Sequence, residues 1–251
     1  MSATRPGDFS PQAEAYAKAR PGYPRELVDH LMELAEIAPG DAAAEVGAGT
    51  GIFTALLAGR GLRLTALEPN AGMRAKARPL PGVEWRDGTF EETGLGTSSQ
   101  RWAVAAQAFH WAKPERALPE IHRVLVPGGR FTVLWNNRDV ASSEVLRWTR
   151  DAVERLVPHF DEGYRARDWG EVLTSTGHFL APAATEVHHT VAMSDRRYLD
   201  LWRSHNLLNA AAGPEGMAAL LDEIAGRLAG RERIEVPYLC RAWTVQAAVR
   251  E

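Results

Sequence analysis

Three glycines stand at alternate positions, Gly47, Gly49 and Gly51, directly after a mostly apolar run at 42–46 that predicts a buried strand. Because glycine lacks a Cβ, such a segment can adopt positive φ, turn sharply and bring its backbone into contact with a bound molecule. Residues 52–57 predict the start of a helix, whose first N–H groups would face that molecule. The spacing indicates a ligand-binding turn between a strand and a helix, with a plain tight turn as the alternative.

An acidic residue, Glu68, ends the next predicted strand at 63–68. In a doubly wound nucleotide-binding fold, an acid at this place can accept both ribose hydroxyls, because one carboxylate offers two oxygens for charge-assisted hydrogen bonds. Its distance from the glycines suits that role. A solvated surface glutamate is the alternative.

The glycine spacing distinguishes two cofactor classes. The dinucleotide fingerprint requires glycine at the first, third and sixth positions, and the sixth residue counted from Gly47 is Ile52. The pattern Glu45-x-Gly-x-Gly-Thr-Gly51 instead resembles the first motif of class I S-adenosylmethionine-dependent methyltransferases, in which the carboxylate belongs to the motif. This resemblance implies S-adenosylmethionine as cofactor, with contacts from Glu45, Gly47, Ala48, Gly49 and Gly51.

A second resemblance lies near the N-terminus. The segment 16–24, Tyr-x3-Arg-Pro-Gly-Tyr-Pro, is similar to the N-terminal lid of a bacterial, small-molecule branch of these enzymes, the methyltransferase type 11-like proteins. A short helix predicted at 12–19 would place Tyr16 and Arg20 on one face. The resemblance implies a lid over 1–24 in which Arg20 pairs with a carboxylate and Tyr16 covers the sulfonium. A surface arginine and a packing tyrosine beside a proline turn are the alternative.

Three further segments continue the family pattern. In the first, which includes Pro69, Met73 would pack near the adenine. In the second, Thr89 or Phe90 would supply backbone contacts to the adenine amino edge. The third, Gln-Ala-Phe-His-Trp at 107–111, ends the predicted fourth strand, where ligands of an open α/β sheet gather. The resemblance implies that its first residue, Gln107, also contacts the cofactor.

One position departs from the pattern. Arg101 stands at the start of the fourth strand, where methyltransferases of this type usually carry an aspartate. The departure affects one structural ion pair and not the predicted fold.

Strands and helices alternate between residues 40 and 137, which favours a parallel sheet. The prediction is an α/β fold: a doubly wound, mostly parallel seven-stranded sheet with an antiparallel last strand, the Rossmann-like methyltransferase fold, plus a helical cap. A single domain is predicted over 1–251, with a cofactor-binding core at 40–137, a substrate cap with a returning strand at 138–232, and the last strand at 233–247. Amphipathic helices are predicted at 26–35, 114–125, 144–157, 194–208 and 214–228.

Composition excludes several classes of protein. The chain has 251 residues, 45% of them hydrophobic, and a net charge of -3, so no basic surface points to nucleic acid or anionic lipid. Cys240 is the only cysteine, which excludes an internal disulfide and a cysteine-rich metal site. No apolar run of transmembrane length and no hydrophobic signal core occur. We expect a cytoplasmic protein with a small-molecule substrate, no bound metal and an oligomeric state that the sequence leaves open.

Two histidines are candidates for the chemistry of transfer. A sulfonium methyl group is already electrophilic, so the main demands are positioning of the nucleophile and exclusion of water. A phenol, amine or carboxylic acid can also need its proton removed, which suits a histidine. His110 lies nearest the predicted site, and His205 lies in the predicted cap. An enzyme that relies on proximity without a general base is the alternative.

The sequence therefore predicts a cytoplasmic methyltransferase that acts on an O-, N- or C-nucleophile of a small, partly aromatic or hydrophobic acceptor. A nicotinamide-dependent oxidoreductase is one alternative, which Ile52 disfavours. A member of the fold that binds S-adenosylmethionine without transferring its methyl group is another.

Overall fold

The computed structural model describes residues 21–77, 79–160, 163–165 and 167–249. The predicted helix at 12–19, and with it Tyr16 and Arg20, lies outside the described residues. The described elements, in chain order, are α1 Arg25–Leu34, β1 Ala42–Val46, α2 Thr54–Ala58, β2 Arg63–Leu67, α3 Ala71–Lys76, β3 Val83–Arg86, β4 Gln100–Ala106, the 3₁₀ helix Phe109–Trp111, α4 Pro114–Val124, β5 Leu125–Arg138, α5 Glu144–Leu156, α6 Trp169–Thr174, β6 Ala183–Met193, α7 Asp195–Arg203, α8 Asn206–Leu228 and β7 Ile234–Gln246.

The seven strands form one sheet in the order β3-β2-β1-β4-β5-β7-β6. Strand β1 pairs in parallel with both β2 and β4, so Glu45 lies between Ala66 and Val104. The strand order reverses between β1 and β4, which is where ligands of a doubly wound sheet bind. The sheet is mixed and mostly parallel with antiparallel strands at its end, which confirms the predicted fold class.

The chain divides into two compact units. Of the described residues, the first unit, here the core unit, contains those within 22–136, 164–187 and 240–249. The second, here the helical unit, contains residue 21 and the described residues within 137–163 and 188–239. Strands β5, β6 and β7 each contribute residues to both units.

Two hydrophobic clusters stabilise the core unit. Along β4, Trp102 and Val104 belong to one cluster, whereas Ala103 and Ala105 belong to the other. Successive strand residues point to opposite faces, so the two clusters cover the two faces of the sheet. Because both faces are buried, β4 is apolar throughout its centre rather than alternating.

The helical unit has its own hydrophobic core, formed by α5, α7 and α8. The prediction of one helix over 194–208 was wrong, because α7 ends at Arg203 and α8 begins at Asn206. The predicted helix at 214–228 is the second part of α8, which is interrupted at Gly213 (φ 68°, ψ 174°) immediately before Pro214. Apolar spacing continues across both breaks, so periodicity alone did not reveal them.

Arg101, the residue that departs from the family pattern, has an acidic partner. Its guanidinium lies 3.6 Å from a carboxylate oxygen of Glu36, and Arg130 lies 3.1 Å from the other oxygen. A single exposed glutamate thus balances two arginines at the start of β4 and in β5. In the part of the chain that the structure describes, none of the helices has the length and apolarity needed to cross a membrane.

Candidate functional site

The glycine turn leaves the carboxyl end of β1 with positive φ at all three glycines: 73° at Gly47, 59° at Gly49 and 85° at Gly51. A Cβ on Gly47 would lie 2.5 Å from the Cβ of Ala108, which is shorter than any real contact. A Cβ on Gly49 would meet only the Cε of Met73, at an ordinary 3.5 Å. Glycine is therefore needed at position 47 both because a Cβ would collide with Ala108 and because φ is positive. At position 49 only the positive φ calls for glycine.

Glu68 lies directly beside this turn. One carboxylate oxygen accepts the Gly49 N–H at 2.8 Å, and the other accepts the Asn70 N–H at 2.8 Å. Burial raises the pKa of the Glu68 carboxyl, against the lowering effects of these two N–H groups and of Arg74. Each oxygen retains a second lone pair after its backbone bond, so the carboxylate can still accept a pair of hydroxyls.

Glu45 is the second carboxylate of the site. It is buried, and its carboxylate accepts the hydroxyl hydrogen of Thr54 at 2.6 Å, which connects β1 to the first residue of α2. Burial raises its pKa to about 8, the Thr54 hydrogen bond opposes this rise, and the charge of Glu68 adds to it. Within the described residues, no cationic side chain pairs with Glu45. A cation bound in the turn would therefore favour its ionised form.

This burial predicts a pH effect on stability. The folded pKa of Glu45 exceeds the ordinary value of 4.5, so its stabilising contribution is complete below about pH 4.5 and is lost as the pH rises through about 8. Between these limits, we expect the unfolding free energy of the ligand-free protein to fall relative to Glu45→Gln by up to roughly 1.4 kcal/mol per pH unit. Urea denaturation of both proteins across this range measures the difference. Parallel pH profiles would contradict a buried, ionisable Glu45.

Two of the predicted adenine-side residues, Met73 and Phe90, lie beside the glycine turn, each next to a Cβ built on one of its glycines. Met73 is buried, and its N–H is accepted by the side chain of Asn70 at 3.0 Å. Phe90 is buried with its ring 3.5 Å from a Cβ built on Gly47. Thr89 accepts the N–H of Glu92 at 3.0 Å, which closes the loop after β3. Pro69, the fourth of these residues, is exposed. Contacts of these residues with adenine stay predictions.

Gln107 directly follows β4 and has a left-handed backbone, at φ 57°. Its side-chain amide donates to the backbone oxygen of Asn136 at 3.0 Å. The side chain of Asn136 in turn donates to the Gly22 oxygen at 3.2 Å and accepts the thiol hydrogen of Cys240 at 3.1 Å. Burial raises the pKa of the Cys240 thiol to about 12, so it acts here as a neutral donor. The Gln107 side chain thus links the residue after β4 to β5 by a hydrogen bond. Its contact with a cofactor stays a prediction.

His110 lies among aromatic side chains that sequence reasoning did not identify. Its Nδ1 accepts the indole N–H of Trp135 at 3.3 Å, and its ring stacks on Tyr164 with centroids 4.0 Å apart and planes at 10°. Trp169 stacks in turn on Trp135 at 4.3 Å. The eight tryptophans of the chain were the only signal for such a cluster. Next to it, Trp111 is 43% exposed.

His205 belongs to the helical unit and caps a helix. Its Nδ1 accepts the N–H of Leu208 at 3.4 Å, at the start of α8. The ring stacks on Trp202 at 6.0 Å and meets the edge of Phe160 at 5.7 Å. This side chain therefore satisfies one of the N–H groups that a helix N-terminus leaves unpaired. Its catalytic role stays a prediction.

The adjacent pair His188 and His189 has separate partners, both in the helical unit. The His188 ring nitrogen lies 3.8 Å from a carboxylate oxygen of Asp139, whereas the His189 ring stacks on Tyr238 at 5.4 Å. Among the residues that the structure describes, no three His, Cys, Asp or Glu side chains group as they would around a metal ion.

Residues 44–133 match the family model described as "Methyltransferase domain". The matched segment contains the glycine turn, Glu68 and β4. An uncharacterized methyltransferase of Mycobacterium bovis is 40% identical over 147 residues, which are 58% of this chain and 57% of that protein. The chain thus spans little more than half the length of this relative.

Solved structures share the fold over most of the chain. Phosphoethanolamine N-methyltransferase 2 of Haemonchus contortus, in complex with phosphomonomethylethanolamine and S-adenosylhomocysteine, has a TM-score of 0.57 at 13% identity and covers 99% of this chain and 61% of its own. The [4+2]-cyclase SpnF has a TM-score of 0.54 at 20% identity and covers 92% of this chain and 84% of its own. Such low identities show the fold alone. The first motif, the matching domain over residues 44–133 and the methyltransferase relatives support a class I S-adenosylmethionine-dependent methyltransferase, which the sequence resemblance predicted.

Proposed function

We propose that the protein transfers a methyl group from S-adenosylmethionine to a small-molecule acceptor by in-line displacement. The observation that carries this proposal is the hydrogen bond between the Gly49 N–H and Glu68, because it joins the glycine turn to the acid of the next strand at the switch point of the sheet. An acid so placed suits a ribose diol, which both nicotinamide and adenosyl cofactors carry. The matched domain and the missing sixth glycine favour the adenosyl cofactor.

The residues of the turn fit an adenosyl sulfonium. The Oγ1 of Thr50 is buried and lacks a hydrogen-bond partner among the described residues, so it can take up a polar group of a ligand. There is space for a ligand beside Gly49, since a Cβ built there would contact only the Cε of Met73. Glu45 is a buried carboxylate with one hydroxyl partner, and a ligand with a positive charge would stabilise its ionised form. Two carboxylates and an unpartnered hydroxyl match a cationic ligand that carries a ribose diol.

Each side chain then has a distinct task. Glu68 would hold the ribose hydroxyls, and Thr50 with Glu45 would hold the charged methionine end. When bound, the cofactor would supply an electrophilic methyl carbon, to which the acceptor's lone pair would bond as the carbon–sulfur bond leaves its electrons on sulfur, and a proton on the acceptor atom would be released to water. The main contribution of the protein would be to orient the acceptor and to exclude water, because a positively charged sulfonium is already a good leaving group.

The acceptor is proposed to be small and partly aromatic or hydrophobic. Support comes from the aromatic side chains around His110 at the carboxyl end of β4, with Trp111 partly exposed beside them. Such rings bind flat, apolar molecules by stacking. The net charge of -3 gives no reason to expect nucleic acid.

A second candidate function is cofactor binding without methyl transfer. It is favoured by the likeness to SpnF, whose name denotes a cyclase rather than a methyltransferase. Because one fold supports different chemistries, cofactor binding alone does not establish transfer. Measurement of the transfer product is needed to separate the two.

The test has two stages. Calorimetric titrations with S-adenosylmethionine, S-adenosylhomocysteine and NADH are expected to show binding of the first two only. S-adenosylhomocysteine release is then followed with a panel of phenols, amines and carboxylic acids, against a blank that lacks an acceptor. Acceptor-dependent release supports the proposal. Preferential binding of NADH overturns the cofactor assignment, and cofactor binding without release across the panel favours the second candidate.

A further inference from the structure

The aromatic surroundings of His110 determine which of its ring nitrogens carries the proton. The indole N–H of Trp135 can only donate, and it lies 3.3 Å from Nδ1 of His110. Nδ1 is therefore the acceptor in this pair, and the neutral imidazole carries its proton on Nε2. A nitrogen that accepts an indole N–H cannot take up a proton at the same time without losing that hydrogen bond.

The donor and the ring are both held in place by packing. Trp135 is 1% exposed and lies between Trp169, stacked at 4.3 Å with planes at 19°, and Trp243, in edge contact at 5.9 Å. The imidazole itself lies nearly parallel to the ring of Tyr164, at 10° and 4.0 Å. Rotation of the indole would break its packing contacts. A half-turn of the imidazole would keep its stacking on Tyr164 but lose the Trp135 hydrogen bond, so that bond selects the orientation with Nδ1 towards the donor.

We propose that Trp135 is a positioning residue that fixes His110 as the Nε2–H tautomer, and that His110 serves methyl transfer as a hydrogen-bond donor and not as the general base. This role rests on the proposed function, whereas the tautomer itself does not. A general base at Nε2 needs a lone pair there, and the Trp135 contact places a proton there instead. An oxygen or nitrogen lone pair of the acceptor can be oriented by such a donor, since its N–H has one fixed direction.

The first experiment measures the tautomer in the full-length, ligand-free protein. Long-range ¹⁵N–¹H correlation spectra report protonation at each ring nitrogen, and the His110 signals are assigned by their loss in His110→Gln. We expect protonated Nε2 and unprotonated Nδ1 in the wild type, and loss of this preference in Trp135→Phe. The matched control is Trp102→Phe, which removes an equally buried indole N–H, bonded to Thr132 at 2.9 Å in the same unit. That control should keep the wild-type tautomer.

A protonated Nδ1 in the wild type, or an unchanged tautomer in Trp135→Phe, overturns the positioning role. Because no cofactor or acceptor is present, this result is independent of whether the protein transfers methyl groups. Failure of the proposed function would instead appear in the cofactor titrations, with the tautomer unchanged.

The second experiment compares His110→Gln with His110→Ala, using an acceptor that releases S-adenosylhomocysteine. The glutamine amide can donate a hydrogen bond but cannot act as a base. We expect His110→Gln, which keeps a donor, to stay within about tenfold of wild-type turnover. His110→Ala should be slower than His110→Gln, because it loses a neutral hydrogen bond. Loss of a general base would lower both variants together by roughly 10²–10⁴-fold, which would overturn the donor role.

Discussion

Replacement of Glu68 by alanine is expected to weaken binding of S-adenosylmethionine by roughly 2–5 kcal/mol. Two effects combine in this loss. The carboxylate no longer accepts the ribose hydroxyls, and it no longer holds the N–H groups of Gly49 and Asn70, each bonded at 2.8 Å. The turn thus loses a direct ligand contact and part of its preformed shape. Calorimetric titration with S-adenosylmethionine and with S-adenosylhomocysteine measures both dissociation constants.

The matched control is Glu120→Ala. Glu120 also accepts a backbone N–H, from Thr93 at 3.0 Å, and pairs with Arg123, which lowers its pKa to about 2. It has no place in the proposed site, so its replacement should lower the free energy of unfolding without changing cofactor affinity. Equal affinities of the wild type and Glu68→Ala would refute the assigned role of Glu68. Equal losses in both variants would point to general destabilisation instead.

Replacement of Gly47 by alanine is expected to destabilise the fold by roughly 2–5 kcal/mol. About 1–2 kcal/mol arises because a residue with a Cβ is strained at φ 73°. A further 1–3 kcal/mol, approximately, arises because the new methyl group would lie 2.5 Å from the Cβ of Ala108, so β1 and the loop after β4 must separate. Urea denaturation monitored by tryptophan fluorescence measures the change.

Gly49→Ala separates strain from collision. Its φ of 59° carries the same backbone cost, but its Cβ would meet only the flexible end of Met73 at 3.5 Å. We therefore expect a stability loss of only about 1–2 kcal/mol. Since Gly49 lies on the open side of the turn, this variant should lose cofactor affinity more than stability. A Gly49→Ala variant as unstable as Gly47→Ala would show that the Ala108 contact is not the cause.

The strands of the core unit and the turn between the first strand and helix could be predicted because the signals are local. Apolar runs, the glycine turn and the acid after β2 each lie within a few residues of the position that they specify. The division of the helical unit was predicted less well. His205 is the N-cap of α8 and so separates it from α7. Helix N-caps are usually Ser, Thr, Asp or Asn, so a histidine at this position gave no signal of a helix start.

The sequence by itself determined the fold class, the glycine turn and the acid beside it, because Gly47 and Glu68 directly follow two consecutive strands, whose ends meet when such strands pair in parallel. The tertiary structure decided what surrounds those groups. Burial of Glu45 and the indole that faces His110 depend on segments far apart in the chain, since Trp135 and Tyr164 follow His110 by dozens of residues. Ionisation and tautomer are set by neighbours in space, which sequence spacing does not specify.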